Sequence, residues 1–113
     1  MGMIVVELAP RLPISVKITG NTLSMVTILW NLTGGSYNLS RPETFSVLFG
    51  VNSTLLNLHS PEITASPSTQ TYSTQLTSLE PGTRYFYRIQ SRNMFDTIFT
   101  VVNQFTTSKF KKW

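Results

Sequence analysis

His59 and Glu62 stand three residues apart, so one loop can bring an imidazole and a carboxylate together, either on a cation or as a proton donor and acceptor. A metal site needs three or four ligands, however. The other acids, Glu7, Glu43, Glu80 and Asp96, are scattered along the chain, and cysteine is absent. Serine is abundant, yet no Gly-x-Ser-x-Gly turn presents one as a nucleophile, and no glycine-rich loop is spaced to cradle phosphate. This inventory offers no catalytic residue, no metal set and no cofactor box, and the expectation is a protein that binds rather than one that catalyses.

Two other patterns carry chemistry. Asn31-Leu32-Thr33, Asn38-Leu39-Ser40 and Asn52-Ser53-Thr54 each fit the N-glycosylation acceptor pattern, which points to the secretory pathway and an extracellular or cell-surface location. Arg84, Arg88 and Arg92 recur at a spacing of four with Phe86 between the first two, so on a strand they share one face as a basic ladder about 27 Å long. A sulfated glycan or an acidic protein patch can lie along such a ladder. Equally, it can be a solvated sheet face with arginine stems packed over Phe86. The only acids expected near it are Glu43 and Asp96. Single-stranded nucleic acid favours more than one aromatic platform, so no nucleic-acid partner is expected. Leu48 on a neighbouring strand and Met94-Phe95 in the following turn add apolar surface suited to a protein partner, although isolated exposed apolar residues are ordinary.

Bulk composition sets the frame in which these residues act. With 113 residues, 41% of them apolar, the chain can build one core and not two. Without cysteine, that core must be held by packing alone. Charged residues make up only 12%, below the roughly 25% of an average soluble domain, while serine and threonine are frequent and alanine is scarce, which disfavours helix. Nine basic and five acidic side chains leave a net charge of +4, permitting weak attraction to polyanions without the density of a dedicated DNA binder. No apolar run reaches the roughly 20 residues of a membrane span, and Met3-Ile4-Val5-Val6 is too short for a signal-peptide core. Val6 also stands where a myristoylation signal wants serine or threonine, so export or anchoring signals are expected outside this sequence.

Period-two alternation dominates the chain. Ile14, Val16 and Ile18 alternate with polar residues up to the Gly20-Asn21 turn signal, and Val26, Ile28 and Trp30 share the inward face of a second strand. Gly34-Gly35-Ser36 opens a loop closed by Arg41-Pro42, and Phe45, Val47 and Phe49 face inward on a third strand with Ser46 and Leu48 outward. Leu55–Leu58 reads as a short edge strand, and Ser60–Thr71, with Pro61 and Pro67, as a loop or weakly paired edge. Tyr72, Thr74 and Leu76 form one face of the next strand. Tyr85, Tyr87 and Ile89 then alternate with the arginine ladder, and a last strand runs from about Thr97 to Phe105. Seven short strands with no helical period predict an all-β sandwich over residues 9–107, flanked by a tail or extra edge segment at 1–8 and a basic-aromatic tail or linker at 108–113. Lys109, Lys111, Lys112 and Trp113 of that tail can approach a membrane surface, but a linker is the favoured reading.

Between the sixth and seventh strands stands Leu79-Glu80-Pro81-Gly82-Thr83-Arg84-Tyr85. Leu79, Pro81, Thr83 and Tyr85 form the L-x-P-x-T-x-Y pattern of a tyrosine corner, in which the tyrosine reaches back to bond the corner's backbone, a device of Greek-key sandwiches. Together with Pro10 and Pro13 before the first strand, Trp30 on the second, and the closing Phe105-Thr106-Thr107, the chain resembles the fibronectin type III family. An immunoglobulin domain would want two cysteines, and Tyr87 holds the place of the second. The resemblance implies a seven-stranded, immunoglobulin-like Greek-key sandwich serving as a non-enzymatic spacer or interaction module, as in cell-adhesion proteins and receptor ectodomains. Its partners would be proteins or neighbouring domains of the same chain. The integrin-binding Arg-Gly-Asp triplet of that family is absent. Phe45–Leu55 and the corner are also similar to fibronectin-like modules that accompany secreted hydrolases such as metallophosphatases, which leaves an accessory domain of such an enzyme as the alternative.

Overall fold

The computed structural model describes residues 10–32, 42–66 and 68–109. Among these residues nine strand segments form in chain order: β1 (Pro13–Asn21), β2 (Val26–Leu32), β3 (Thr44–Gly50), β4 (Leu58–His59), β5 (Ile63–Thr64), β6 (Thr71–Leu76), β7 (Arg84–Arg92), β8 (Thr97–Phe99) and β9 (Asn103–Thr106). One antiparallel sheet has the order β1-β2-β6. In the other, β3 and β7 are central, β4 and β5 lie end to end along β3, and β8 and β9 lie end to end along β7. The nine segments therefore trace seven strands in two layers, the expected all-β Greek-key sandwich.

Alternation builds the core. Val26, Ile28 and Trp30 are fully buried, as are Phe45, Val47 and Ile89, with Leu32, Phe49, Tyr72, Leu76, Tyr85, Tyr87 and Phe105 nearly so. Trp30 stacks on Tyr72 of its own sheet at 6.2 Å and meets Phe45 of the opposite sheet edge-on at 6.0 Å. Phe49, Tyr85, Tyr87 and Phe105 form a second aromatic group at the other end of the β3–β7 sheet. Burial also pushes the Tyr87 phenol pKa above its ordinary value.

At the corner, Leu79 is buried and the Tyr85 hydroxyl accepts the Glu80 N–H at 2.8 Å, so the tyrosine's backbone partner is an amide donor. The Thr83 hydroxyl donates to the Pro81 carbonyl at 2.9 Å, and Gly82 takes φ +58°, a left-handed conformation that costs glycine little. The closing Phe-Thr-Thr completes the corner. Thr107 Oγ1 donates to the Glu80 carbonyl at 2.6 Å and accepts the Thr83 N–H at 2.9 Å, tying the segment after β9 to the turn.

Three details depart from the sequence reading. Ser15 adopts φ +53°, and between the pairs Ile14↔Asn31 and Lys17↔Leu29 two residues of β1 oppose one of β2. This bulge resets the alternation, so Ile14 is 42% exposed while Val16 and Ile18 pack on the core. The edge expected at Leu55–Leu58 begins instead at Leu58, and of the two readings of Ser60–Thr71 the weakly paired edge holds at β5, because Pro61 interrupts one edge strand rather than ending it. The last strand is likewise broken at Thr100–Val102. There the Thr100 hydroxyl accepts the Ile89 N–H at 2.8 Å in place of a backbone carbonyl.

Candidate functional site

The outer face of the β3–β7 sheet assembles the basic ladder. β7 places Tyr85, Tyr87 and Ile89 in the core, which forces Arg84, Phe86, Arg88, Gln90 and Arg92 outward. The antiparallel register sets their neighbours. Leu48 lies opposite Arg88, Thr44 opposite Arg92, Gln104 opposite Phe86, Thr106 opposite Arg84, and Phe99 opposite Gln90.

The three arginines are not equivalent. Arg84 holds its guanidinium carbon 5.6 Å from the Phe86 ring centre, and Arg88 lies 4.0 Å over the ring of Phe99. Arg92 pairs with Glu62 across the sheet. The Arg92 hydrogen bond, with help from Thr44, holds the Glu62 carboxyl below its ordinary pKa. Glu43 and Asp96, the acids expected near the ladder, are engaged elsewhere. Glu43 accepts the backbone N–H and the guanidinium of Arg11 at 2.7–2.9 Å, and Asp96 caps the Thr97 N–H at 2.8 Å. Among the described residues neither Arg84 nor Arg88 has an acidic partner, and Arg88 Nε is buried without a hydrogen bond. A cation flattened on an aromatic ring keeps its charge while its stem is packed, so it meets an anion with little conformational freedom left to lose.

Phe99 was missed by sequence reasoning, yet its signal was present. The four-residue turn Asn93–Asp96 fixes the β7–β8 register and so brings Phe99 to the ladder's face. That turn is held by Asn93 Oδ1, which accepts the N–H groups of Phe95 and Asp96, and it leaves Met94 exposed at its tip. His59 and Glu62 do not act together. His59 Nδ1 lies 3.1 Å from the Ser60 carbonyl, Glu62 serves Arg92, and no group of three or more metal-ligating side chains occurs among the described residues.

The sequons differ in setting. Asn52 lies exposed in the β3–β4 connection, where its Oδ1 accepts the Thr54 N–H at 3.0 Å and the Thr54 hydroxyl at 2.8 Å. Asn31 sits half-buried on the central strand β2 and accepts the Thr71 hydroxyl. Asn38 and the tail positions Lys111, Lys112 and Trp113 lie outside the described residues.

With this geometry in hand, solved structures supply the comparison. A fibronectin type III domain of human contactin 1 superposes with a TM-score of 0.65 at 17% identity, covering 98% of this chain and 92% of that one. A computationally redesigned β-sandwich protein gives 0.62 at 26% identity over 88% and 96%. The sensor domain of the anti-sigma factor RsgI4 in Pseudobacteroides cellulosolvens gives 0.65 at 15% over 92% and 100%. No family model matches the sequence, and no curated protein does. The chain has the fibronectin type III fold.

Proposed function

We propose that this domain is a non-enzymatic interaction module of a secreted or cell-surface multidomain protein, and that it binds rows of anionic groups, as on a sulfated glycan, through the outer face of the β3–β7 sheet. The observation that carries this reading is the pair Arg84 and Arg88, two cations set against aromatic rings with no acidic partner among the described residues. Leu48 and Phe86 supply apolar contact between them. The exposed sequon at Asn52 supports the location. A heparin column tests the binding. Arg84→Ser with Arg88→Ser elutes at lower salt than the parent, and Glu62→Gln, which frees Arg92, elutes later; equal retention of all three removes the reading. Expression in a secretory host with peptide mass spectrometry tests the location, and absence of glycan at Asn31, Asn38 and Asn52 alike removes its main support.

A second reading draws on the β3–β4 connection, where Val51 and Leu55 stand exposed in the stretch that resembles hydrolase-associated modules. There the domain braces a catalytic neighbour, and a full open reading frame with a downstream domain rich in Asp, His and Asn distinguishes it.

A further inference from the structure

Among the described residues four strand edges border the two sheets, and three are interrupted. β1 carries two register shifts, the β4–β5 edge is broken at Ser60-Pro61, and the β8–β9 edge is broken at Thr100–Val102. Such interruptions are how native sheets prevent a foreign strand from pairing. β6 has none. Thr71-Tyr72-Ser73-Thr74-Gln75-Leu76 pairs with β2 in unbroken register, contains no proline and no charge, and among the described residues has no strand on its other side.

The opposite sheet extends one strand further than β6. Tyr72 of β6 rests on Phe45 of β3 at 5.4 Å, so β6 lies over β3, while β4 and β5 continue beyond β3 on the same side. At the other flank Asn21 of β1 bonds the Thr106 carbonyl of β9, which fixes the direction of the offset. Leu58 pairs with buried Phe49 and shares its core-facing side, yet Leu58 is 47% exposed because no strand of the smaller sheet among the described residues covers it. Ile63 beside Phe45 is only partly covered. Among the described residues the sandwich therefore leaves a strand-shaped space with an unpaired backbone ladder on one wall and an apolar floor.

We propose that β6 accepts an extended peptide segment from a partner as a fourth antiparallel strand, with alternate apolar side chains seated over Leu58 and Ile63. The unpaired donors and acceptors of β6 require an extended backbone, and the floor selects every second side chain. A second copy fits less well, since joining β6 to β6 sets the two protruding β4–β5 edges against each other. This inference is independent of the anionic face.

The test is NMR on the full chain with an acetylated, amidated Lys-Val-Thr-Val-Thr-Val-Lys peptide and, as control, the same peptide with its central Val replaced by Pro. Saturating peptide is expected to slow exchange of the β6 amides that point away from β2 by about tenfold and to shift Leu58, and the proline control to do neither. Thr74→Lys, which turns a charge inward at the edge, and Leu58→Asp, at an exposed position that tolerates change, are each expected to weaken binding by about tenfold. Perturbation at the β1 or β8–β9 edge instead, dimerisation of the chain through β6, or unchanged affinity of Leu58→Asp would overturn the proposal.

Discussion

Trp30 illustrates how much one position carries. It is fully buried between Tyr72 and Phe45, and its Nε1 finds no partner among the described residues. Trp30→Ala is expected to destabilise by about 3–5 kcal/mol in chemical denaturation, because the lost ring leaves a cavity. Trp30→Phe costs less, since it removes an unpaired buried donor along with part of the area. An unchanged midpoint for Trp30→Ala contradicts the face assignment of β2. Tyr85→Phe leaves the Glu80 N–H without its acceptor and is expected to lower stability by about 0.5–1.5 kcal/mol, read in the same way. On the outer face, Glu62 titrates below its ordinary value because Arg92 bonds its ionised form. A carboxyl depressed in the folded state adds stability above its unfolded pKa and loses it as pH falls through the folded one. For this exposed pair the effect on stability is small. Side-chain NMR is the sensitive measurement: Arg92→Gln should return the Glu62 midpoint upward toward the ordinary carboxylate range, and no movement would mean the ion pair does not persist in solution.

The corner is a unit made by three segments. Thr107 joins the Glu80 carbonyl and the Thr83 N–H, so Thr107→Val leaves a donor and an acceptor unpaired at a nearly buried position. A loss of about 1–3 kcal/mol is expected, and a double mutant with Tyr85→Phe should be non-additive because both act on Glu80. Strand faces were legible in the sequence because side chains alternate strictly along a strand, which is why Trp30, Phe45, Tyr85 and their neighbours fall as read. The corner was legible because its turn restricts which residues fit. Ile14 was misplaced because a bulge adds one residue to one strand only, and nothing in the side-chain pattern of Ile14-Ser15-Val16 reveals the left-handed Ser15. The Arg92–Glu62 pair was missed because Ser60–Thr71 was read as a loop or weakly paired edge with no register, so Glu62 had no assigned place beside β7. Pairings across a sheet depend on register, and register depends on where interruptions fall.

Across the whole molecule, the two sheets carry different surfaces. The three-stranded sheet presents a mixed exterior, with Ile14 exposed among polar residues, and one regular edge, while the larger sheet gathers Arg84, Phe86, Arg88, Phe99 and Leu48 on one face. Arg84 and Arg88 lie about 14 Å apart along β7, a separation that a chain of repeated anionic groups can match and a single small anion cannot. Screening makes such contacts salt-dependent, which separates them from apolar docking at Val51 and Leu55. On the function proposed, this face, and not the charge of the domain as a whole, recognises the ligand. The direct measurement is amide and side-chain chemical-shift mapping with a heparin-derived hexasaccharide at low and physiological salt. The predicted result is perturbation centred on Arg84, Phe86, Arg88, Phe99 and Gln104 that weakens as salt is raised, with β1, β2 and β6 silent. Perturbation confined to the lysines from 109 onward, or spread evenly over basic residues of both sheets, would contradict it.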